Sequence, residues 1–166
     1  MLVPIYPHDD DVMVIMTRRA SDMRHHKGEV SFPGGRRDPE DETLWHTAVR
    51  EAWEETALAP ELPQPVGELD SFVTVGSRSL VHPLVGGLDA RPQLEASPAE
   101  VAHIIHAPLS ELLLPEVYRS EIWHFRGRTR TMHFFDLVGD TVWGATAAML
   151  HQFLAIATGT GDGLDT

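Results

Sequence analysis

The stretch Arg50–Leu58 reads REAWEETAL and sets Glu51, Glu54 and Glu55 on about one and a half turns of a predicted helix, close to its C-terminal end. Like charges four residues apart repel, and carboxylates near a helix C-terminus face the unfavourable end of the dipole. Each effect costs a few tenths to about 1 kcal/mol, so the cluster asks for a counter-charge. The helical pattern runs from about Glu42 to Thr56. At roughly 100° per residue from Leu44, the residues Leu44, Trp45, Ala48, Val49, Ala52 and Trp53 fill an arc of roughly 180°, the expected buried stripe. Glu55 falls at about 20°, inside the edge of that stripe, with Glu51 just outside it and Glu54 further round. A merely solvated acidic face lies opposite the stripe instead. Carboxylates at a buried border suit a hard divalent cation, Mg²⁺ or Mn²⁺, because Arg50 alone does not neutralise three acids. The glycines of the preceding FPGGRRD segment let the backbone approach and offer a carbonyl as a further ligand.

Outward from this helix, LVPIY and VMVIMT are β-rich runs separated by the turn-rich PHDDD, and a short strand is expected at Val30–Phe32. Two more strands are expected between Val66 and Leu88, turning near Gly76–Ser77. A strand around Val101–His106 precedes a short helix opened by Ser110. EIWHFRGRTRTMHFFDLV reads as a hairpin turning at Gly127, and WGATAAMLHQFLAIAT as a final amphipathic helix. Elements of both kinds occur without strict alternation, so the fold class is α+β, an α/β/α sandwich on a mixed sheet flanked by helices. The length of 166 residues suits one domain over 1–158, with the polar segment 159–166 as a mobile tail.

The net charge of −12 disfavours nucleic acid and anionic membranes as partners, and a phosphate-bearing substrate then needs bridging cations. The alternative is that acidity serves solubility alone. No apolar run is long enough to span a bilayer, the first residues lack the features of a signal peptide, and cysteine is absent; together these fit a cytoplasmic protein. Ten histidines are present, but His25-His26, His103-x-x-His106 and His124 lack zinc-like spacing with a third ligand. His103 and His106 are expected on opposite faces of their strand, and Trp45, Trp53 and the early methionines in the core.

Gly35–Leu58, GRRDPEDETLWHTAVREAWEETAL, resembles the Nudix box, and its REAWEE half matches fully. Two departures stand out. Ala57 occupies the position of the family's glycine, and the box is one residue long, so that either Asp41 or Glu42 takes the early acidic position. The preceding MTRRASDMRHHKGEVSFPGG resembles the motif of coenzyme A pyrophosphatases, with Thr17, Arg19, Ala20, Arg24, Gly28, Phe32, Pro33, Gly34 and Gly35 in place. WGATA at Trp143–Ala147 is a further likeness, and members of this subfamily also tend to carry the longer box.

The resemblance implies a Nudix fold and a metal-dependent hydrolysis in which water attacks one phosphorus of a diphosphate and the other phosphate leaves. It implies Mg²⁺ or Mn²⁺ held by Glu51 and Glu55 with Glu54 and the Gly35 carbonyl, and Arg50 meeting the developing charge. For coenzyme A it implies 3′,5′-ADP and 4′-phosphopantetheine as products, with Arg19, Arg24 and Arg36 facing the substrate; the alternative for Arg19 and Arg24 is that they are surface residues of a basic loop. Glu100 is the candidate general base; Ser97-x-x-Glu100 equally fits a capping box. A broader hydrolase of dNTPs, ADP-ribose or NADH is the alternative of the same class, and a non-catalytic nucleotide-binding module the alternative of another. A homodimer is implied only by analogy with relatives.

Overall fold

A computed structural model describes residues 1–21, 28–74, 78–125 and 127–160, with all of their side chains except those of Phe125 and Arg128. Two compact units emerge, Met1–Pro108 and Leu109–Thr166.

The first unit is built on strands β1 (Leu2–His8), β2 (Asp11–Arg19), β3 (Val30–Ser31), β4 (Gln64–Glu68), β7 (Leu84–Gly87) and β8 (Val101–Pro108), with a small separate pair, β5 (Phe72–Val73) and β6 (Leu80–Val81). Residues 14–17 of β2 are buried on both faces, as the apolar run Val12–Met16 requires, and the Thr17 hydroxyl is satisfied by the Ser31 carbonyl. This strand is central: β8 pairs along one side, while β1 and then β3 share the other. β1 lies parallel to β7, and the remaining pairings are antiparallel, so the sheet is mixed as expected. The stretch expected to form two strands between Val66 and Leu88 instead forms four short ones, because the Leu69 N–H turns to donate to the Pro83 carbonyl and Pro83 interrupts the run. The expected turn at Gly76–Ser77 lies outside the described residues.

Helix α1 (Leu44–Thr56) starts two residues later than the pattern suggested, where the Thr43 side chain accepts a hydrogen bond from the His46 N–H at 3.1 Å. It packs Ala48 and Ala52 against Leu2, Tyr6, Ile15 and Leu84 of the sheet, joined by Leu58 and Leu88. The small alanines bring the helix close. One consequence corrects the expected stripe. Trp53 is half exposed and Leu44 lies near the surface, while Trp45 is only partly buried, packed at the edge of the cluster. Large side chains do not fit beneath a helix seated on alanines, so they occupy its margins. Met16 is buried as expected, with Met13 packed at the margin.

His106 lies on the α1 side of the sheet, its Nδ1 within 2.9 Å of the Tyr6 hydroxyl, and His103 on the opposite side of β8 is exposed. Burial, then the charge of Arg91, lowers the His106 pKa, consistent with a structural role.

In the second unit, α2 (Leu109–Leu112) precedes strands β9 (Tyr118–Phe125), β10 (Arg128–Leu137) and β11 (Asp140–Trp143), and α3 (Gly144–Thr158) follows. β10 lies in the middle of this antiparallel sheet, and the β9–β10 hairpin turns at Gly127 as the sequence indicated. Register puts Tyr118, Phe135 and Val142 on one face, where α3 covers them; His151 of α3 stacks on His133 with ring centroids 4.0 Å apart. Gly159 and Thr160, at the start of the expected tail, close α3 by donating to carbonyls of its last turn. Residues 161–166 lie outside the described residues. No helix among the described residues is long and apolar enough to cross a membrane.

Candidate active site

Arg50 is the hub. Its guanidinium donates from Nε to Asp41 Oδ1 (3.1 Å) and from Nη2 to Asp41 Oδ2 (3.0 Å). Nη1 donates to both oxygens of Glu54 at 3.1 and 3.2 Å, and Nη2 also reaches Glu51 Oε1 at 3.0 Å and the Arg36 carbonyl at 3.0 Å. This decides the question left open by the extra residue in the box. Asp41 is buried and takes the fork of Arg50, whereas Glu42 is exposed and its carboxylate lies 4.0 Å from His46. Hydrogen bonds from Arg50 hold the Asp41 carboxyl well below the usual carboxylate range, and the same pairing raises the arginine. Arg37, a residue sequence reasoning passed over, fastens this loop by donating to the carbonyls of Asp41 and Glu42 at 2.9 and 3.1 Å. An arginine in a basic loop gives no pattern by which to find that role.

The three glutamates differ sharply in exposure. Glu54 is 53% exposed at its side chain, Glu51 15% and Glu55 3%. The border position read from the helical wheel is therefore correct for Glu55 and Glu51, with Glu54 on the solvent side. Burial raises the Glu51 pKa against the opposing pull of Arg50. Burial pushes Glu55 up to about 8; Arg19 opposes this, Glu100 and Glu51 add to it, and a Gly34 N–H donating to the carboxyl lowers it.

Two glycines shape the other wall. Gly34 has φ 152°, and a Cβ there would sit 2.7 Å from Met1 Cα, so only glycine lets this loop run along the start of β1. At Gly35 an added Cβ would lie 2.3 Å from Glu51 Oε2. Its absence leaves the backbone directly against that carboxylate.

Arg19, at the end of β2, reaches Glu55 Oε1 from Nη1 at 3.9 Å. Both groups keep an unused polar atom: Arg19 Nε and Glu55 Oε2 are buried without a hydrogen-bond partner among the described residues. Past the helix, Glu95 and Ser97 donate backbone N–H groups to the carbonyls of Thr56 and Glu55, each at 2.9 Å, which satisfies groups left open at the C-terminus of α1. This strap brings Glu100 within electrostatic reach of Glu51 and Glu55. Residues 97–100 form a turn ahead of β8 and no helix follows, so the capping-box reading of Ser97 and Glu100 is set aside. Ala57 ends α1 at φ 55°, the left-handed region in which glycine is the easier residue.

The structure thus brings together Gly35, Arg50, Glu51, Glu54 and Glu55, with Arg19 and Glu100 facing the same carboxylates. Arg36 joins through its carbonyl. Arg24 lies outside the described residues. Among the described residues no group of three or more acidic or histidine side chains is preassembled to hold a metal, since Arg50 lies between Glu51 and Glu54. A divalent cation nevertheless fits the donor set. The oxygens are hard, Glu55 carries a buried oxygen with no partner, and the missing Cβ of Gly35 leaves its backbone beside Glu51.

The NUDIX domain model matches residues 1–126. An uncharacterised Nudix hydrolase, NudL, of Photorhabdus laumondii is 38% identical over 139 residues, covering 84% of this chain and 74% of the relative. Nudix hydrolase 22, chloroplastic, of Arabidopsis thaliana is 38% identical over 157 residues, and there the chain spans about half of the relative, 52%, with 90% of itself aligned. Among solved structures, the Nudix hydrolase RenU of M. smegmatis superposes with a TM-score of 0.62 at 18% identity, covering 99% of this chain and 87% of that one. The NUDIX domain of Shewanella oneidensis NrtR, solved with ADP ribose, gives 0.52 at 23% identity over 68% and 72% of the two chains. The mixed sheet, the box on α1 and the loop before it agree with these likenesses: the chain belongs to the Nudix family and is a hydrolase of pyrophosphate bonds.

Proposed function

We propose that this hydrolase is a divalent-metal-dependent diphosphatase that cleaves coenzyme A or its derivatives into 3′,5′-ADP and 4′-phosphopantetheine or its acyl form. The observation carrying this reading is the pair of buried, opposite, unsatisfied atoms at Arg19 and Glu55. One attracts a phosphate oxygen and the other a cation, as a metal-bridged diphosphate demands. The coenzyme A assignment rests on the motif from Thr17 to Gly35, in which Thr17 and Phe32 are buried, Gly34 lets the loop pass Met1 and Gly35 lies against Glu51.

Glu51, Glu55 and the Gly35 carbonyl, with Glu54 beside them, are the groups that hold Mg²⁺ or Mn²⁺. Bound there, the ion supplies neutralisation of the diphosphate and a more acidic water. Arg19 binds a phosphate oxygen, and Arg24 and Arg36 are further candidates for substrate contact. Arg50, anchored by Asp41, keeps Glu51 and Glu54 in place and meets negative charge developing on the phosphoryl oxygens. Glu100 accepts the proton of the attacking water, and the second phosphate departs with its substituent. Retention of every carboxylate in REAWEE argues against a non-catalytic module.

Residues 1–158 are read as one working domain of a cytoplasmic protein that forms a homodimer. The family match supports the domain reading, since it runs past Pro108, where the two units meet in sequence. The competing substrate class is supported by the ADP ribose in the NrtR domain. Release of 3′,5′-ADP from coenzyme A with Mg²⁺ and with Mn²⁺, measured beside ADP-ribose, NADH and dNTPs, decides between them. A kcat/KM for coenzyme A at least about tenfold above the others is expected. Preference for ADP-ribose or NADH overturns the assignment of substrate.

A further inference from the structure

The two sheets treat their edges differently. An edge strand exposes a row of unpaired N–H and C=O groups, which proteins blunt with proline, bulges or short length. In the first unit, β4 is an edge with all five residues exposed, and it carries Pro65 and loses register between Pro65 and Gly67. β8 meets a register shift at Arg18/Arg19 and ends at Pro108. In the second unit β11 is only four residues long. β9 has no proline, bulge or shortness; Arg119 and Glu121 charge its edge, and the Tyr118 N–H donates to the Leu114 carbonyl. Its eight residues pair with β10 without a break, and no strand among the described residues pairs with its other side. Arg119 to His124 are all exposed, so both faces of this stretch meet solvent. Ile122 is 68% exposed and Trp123 44%.

We propose that β9 pairs antiparallel with β9 of a second copy across a twofold axis, joining two three-stranded sheets into one of six. The occupant is a second copy because the strand's charges complement themselves. Arg119 and Glu121 share a face and already contact each other within one chain. An antiparallel register centred on Ser120 sets Arg119 of each copy opposite Glu121 of the other, twice over. Registers centred on Arg119 or on Glu121 set like charges face to face and are disfavoured. The same register places Ile122 opposite Tyr118. The strand pair alone buries less than a standard interface, on the order of 1,000 Å² in total, which points to a micromolar dimer.

This inference deepens the homodimer of the reading above and does not depend on the substrate. Sedimentation velocity on the full chain between about 1 and 300 µM tests it. The wild type is expected to shift from monomer to dimer. Ile122→Lys replaces a side chain exposed to solvent, leaves the fold intact by circular dichroism, and is expected to weaken the dimer at least about tenfold. Arg119→Glu and Glu121→Arg are each expected to be monomeric alone and to form a heterodimer when mixed, because the opposed pairs are restored. A monomer at every concentration, or a dimer indifferent to Ile122→Lys, overturns the proposal, and a mixture that stays monomeric overturns the register. Hydrolysis of coenzyme A is measured separately, so loss of one reading leaves the other standing.

Discussion

Arg50 and Arg119 each gather carboxylates, and they do it in opposite surroundings. Arg50 binds Asp41, Glu51 and Glu54 with its own side chain 25% exposed and that of Asp41 only 7%. The Arg36 carbonyl and the grip of Arg37 on the loop fix it further. Arg119 binds Glu121 and Asp136 while all three side chains stay more than 40% exposed, lying over the Phe134 ring at 4.0 Å. Both are networks of the same ions. Water screens the second, so its charges are replaceable at a cost of about 0–1 kcal/mol. The first, Glu54 apart, is largely withheld from water and braced by backbone, which makes the charges of Asp41 and Glu51 hard to keep and hard to move, as a site for a doubly charged ligand requires.

The sharpest way to break this comparison is to neutralise one acid from each region. Glu55→Gln keeps the shape of the most buried carboxylate and removes its charge; turnover of a pyrophosphate substrate is expected to fall by about 10³-fold or more with the fold intact. Asp136→Asn is expected to leave turnover within about twofold. Equal losses from both would dissolve the distinction, and undiminished hydrolysis by Glu55→Gln would remove the metal site itself.

The same substitution acts in the other direction on stability. The Glu55 pKa, about 8 against an ordinary 4.5, is raised, so the folded chain disfavours the ionised form. Stability is therefore greatest below the unfolded pKa and declines as pH rises from about 4.5 to about 8, after which this contribution is constant. With metal removed by chelation, Glu55→Gln is expected to stabilise the fold near pH 7.5, on the order of 3 kcal/mol, and to do almost nothing near pH 4.5. Denaturant melts at the two pH values check it. A wild type whose metal-free stability is flat across that window contradicts the burial of this charge.

How much of this was legible in the sequence follows from the range of the interactions involved. The helix and the position of Glu55 at its border follow from a period of 3.6 residues, a local property. The mixed sheet followed from β-rich runs and turn residues. Trp53 and Leu44 escaped because their exposure depends on how closely Ala48 and Ala52 let the helix sit, which no periodicity encodes. Asp41 and Glu42 could not be told apart until Arg50, nine residues on from Asp41, chose between them in space. The strap from Glu95 and Ser97, which decides where Glu100 stands, joins segments about forty residues apart through backbone groups that carry no sequence signal.

Asp41 and Asp136 allow a finer comparison, since both carboxyls are held below the ordinary value chiefly by an arginine hydrogen bond. A lowered folded pKa means stability that is present above about 3.8 and is lost as pH falls through the depressed value. Both Asn variants are expected to flatten the acid limb of unfolding. Asp41→Asn is also expected to slow turnover about tenfold, because Arg50 loses its fork and Glu51 its alignment. For Asp136→Asn the change is expected to stay within about 1 kcal/mol and to vanish in about 1 M salt, where exposed pairs are screened. Thermal melts against pH and salt separate the two.

The smallest effect lies at the helix ends. α1 and α3 both close with a residue in the left-handed region, Ala57 at φ 55° and Gly159 at φ 67°. Glycine adopts that conformation freely, whereas a Cβ collides with the following carbonyl at a cost of about 1–2 kcal/mol, partly offset by the greater freedom glycine has when unfolded. Ala57→Gly is therefore expected to stabilise the protein by about 1 kcal/mol, and Gly159→Ala to destabilise it by a similar amount. The N–H of Ala57 reaches the Trp53 carbonyl at 2.8 Å, and glycine keeps that bond, so the gain comes from conformation alone. Two residues upstream stands Glu55, and the helix end that carries the buried acid is thus also the one closed by the less comfortable residue. If Ala57→Gly raises the melting temperature without altering turnover, the strain at this end is incidental to catalysis. If it stabilises the fold and lowers turnover together, the strained end helps to hold Glu55 in place, and the contrast between the two units extends from their charges to their backbones.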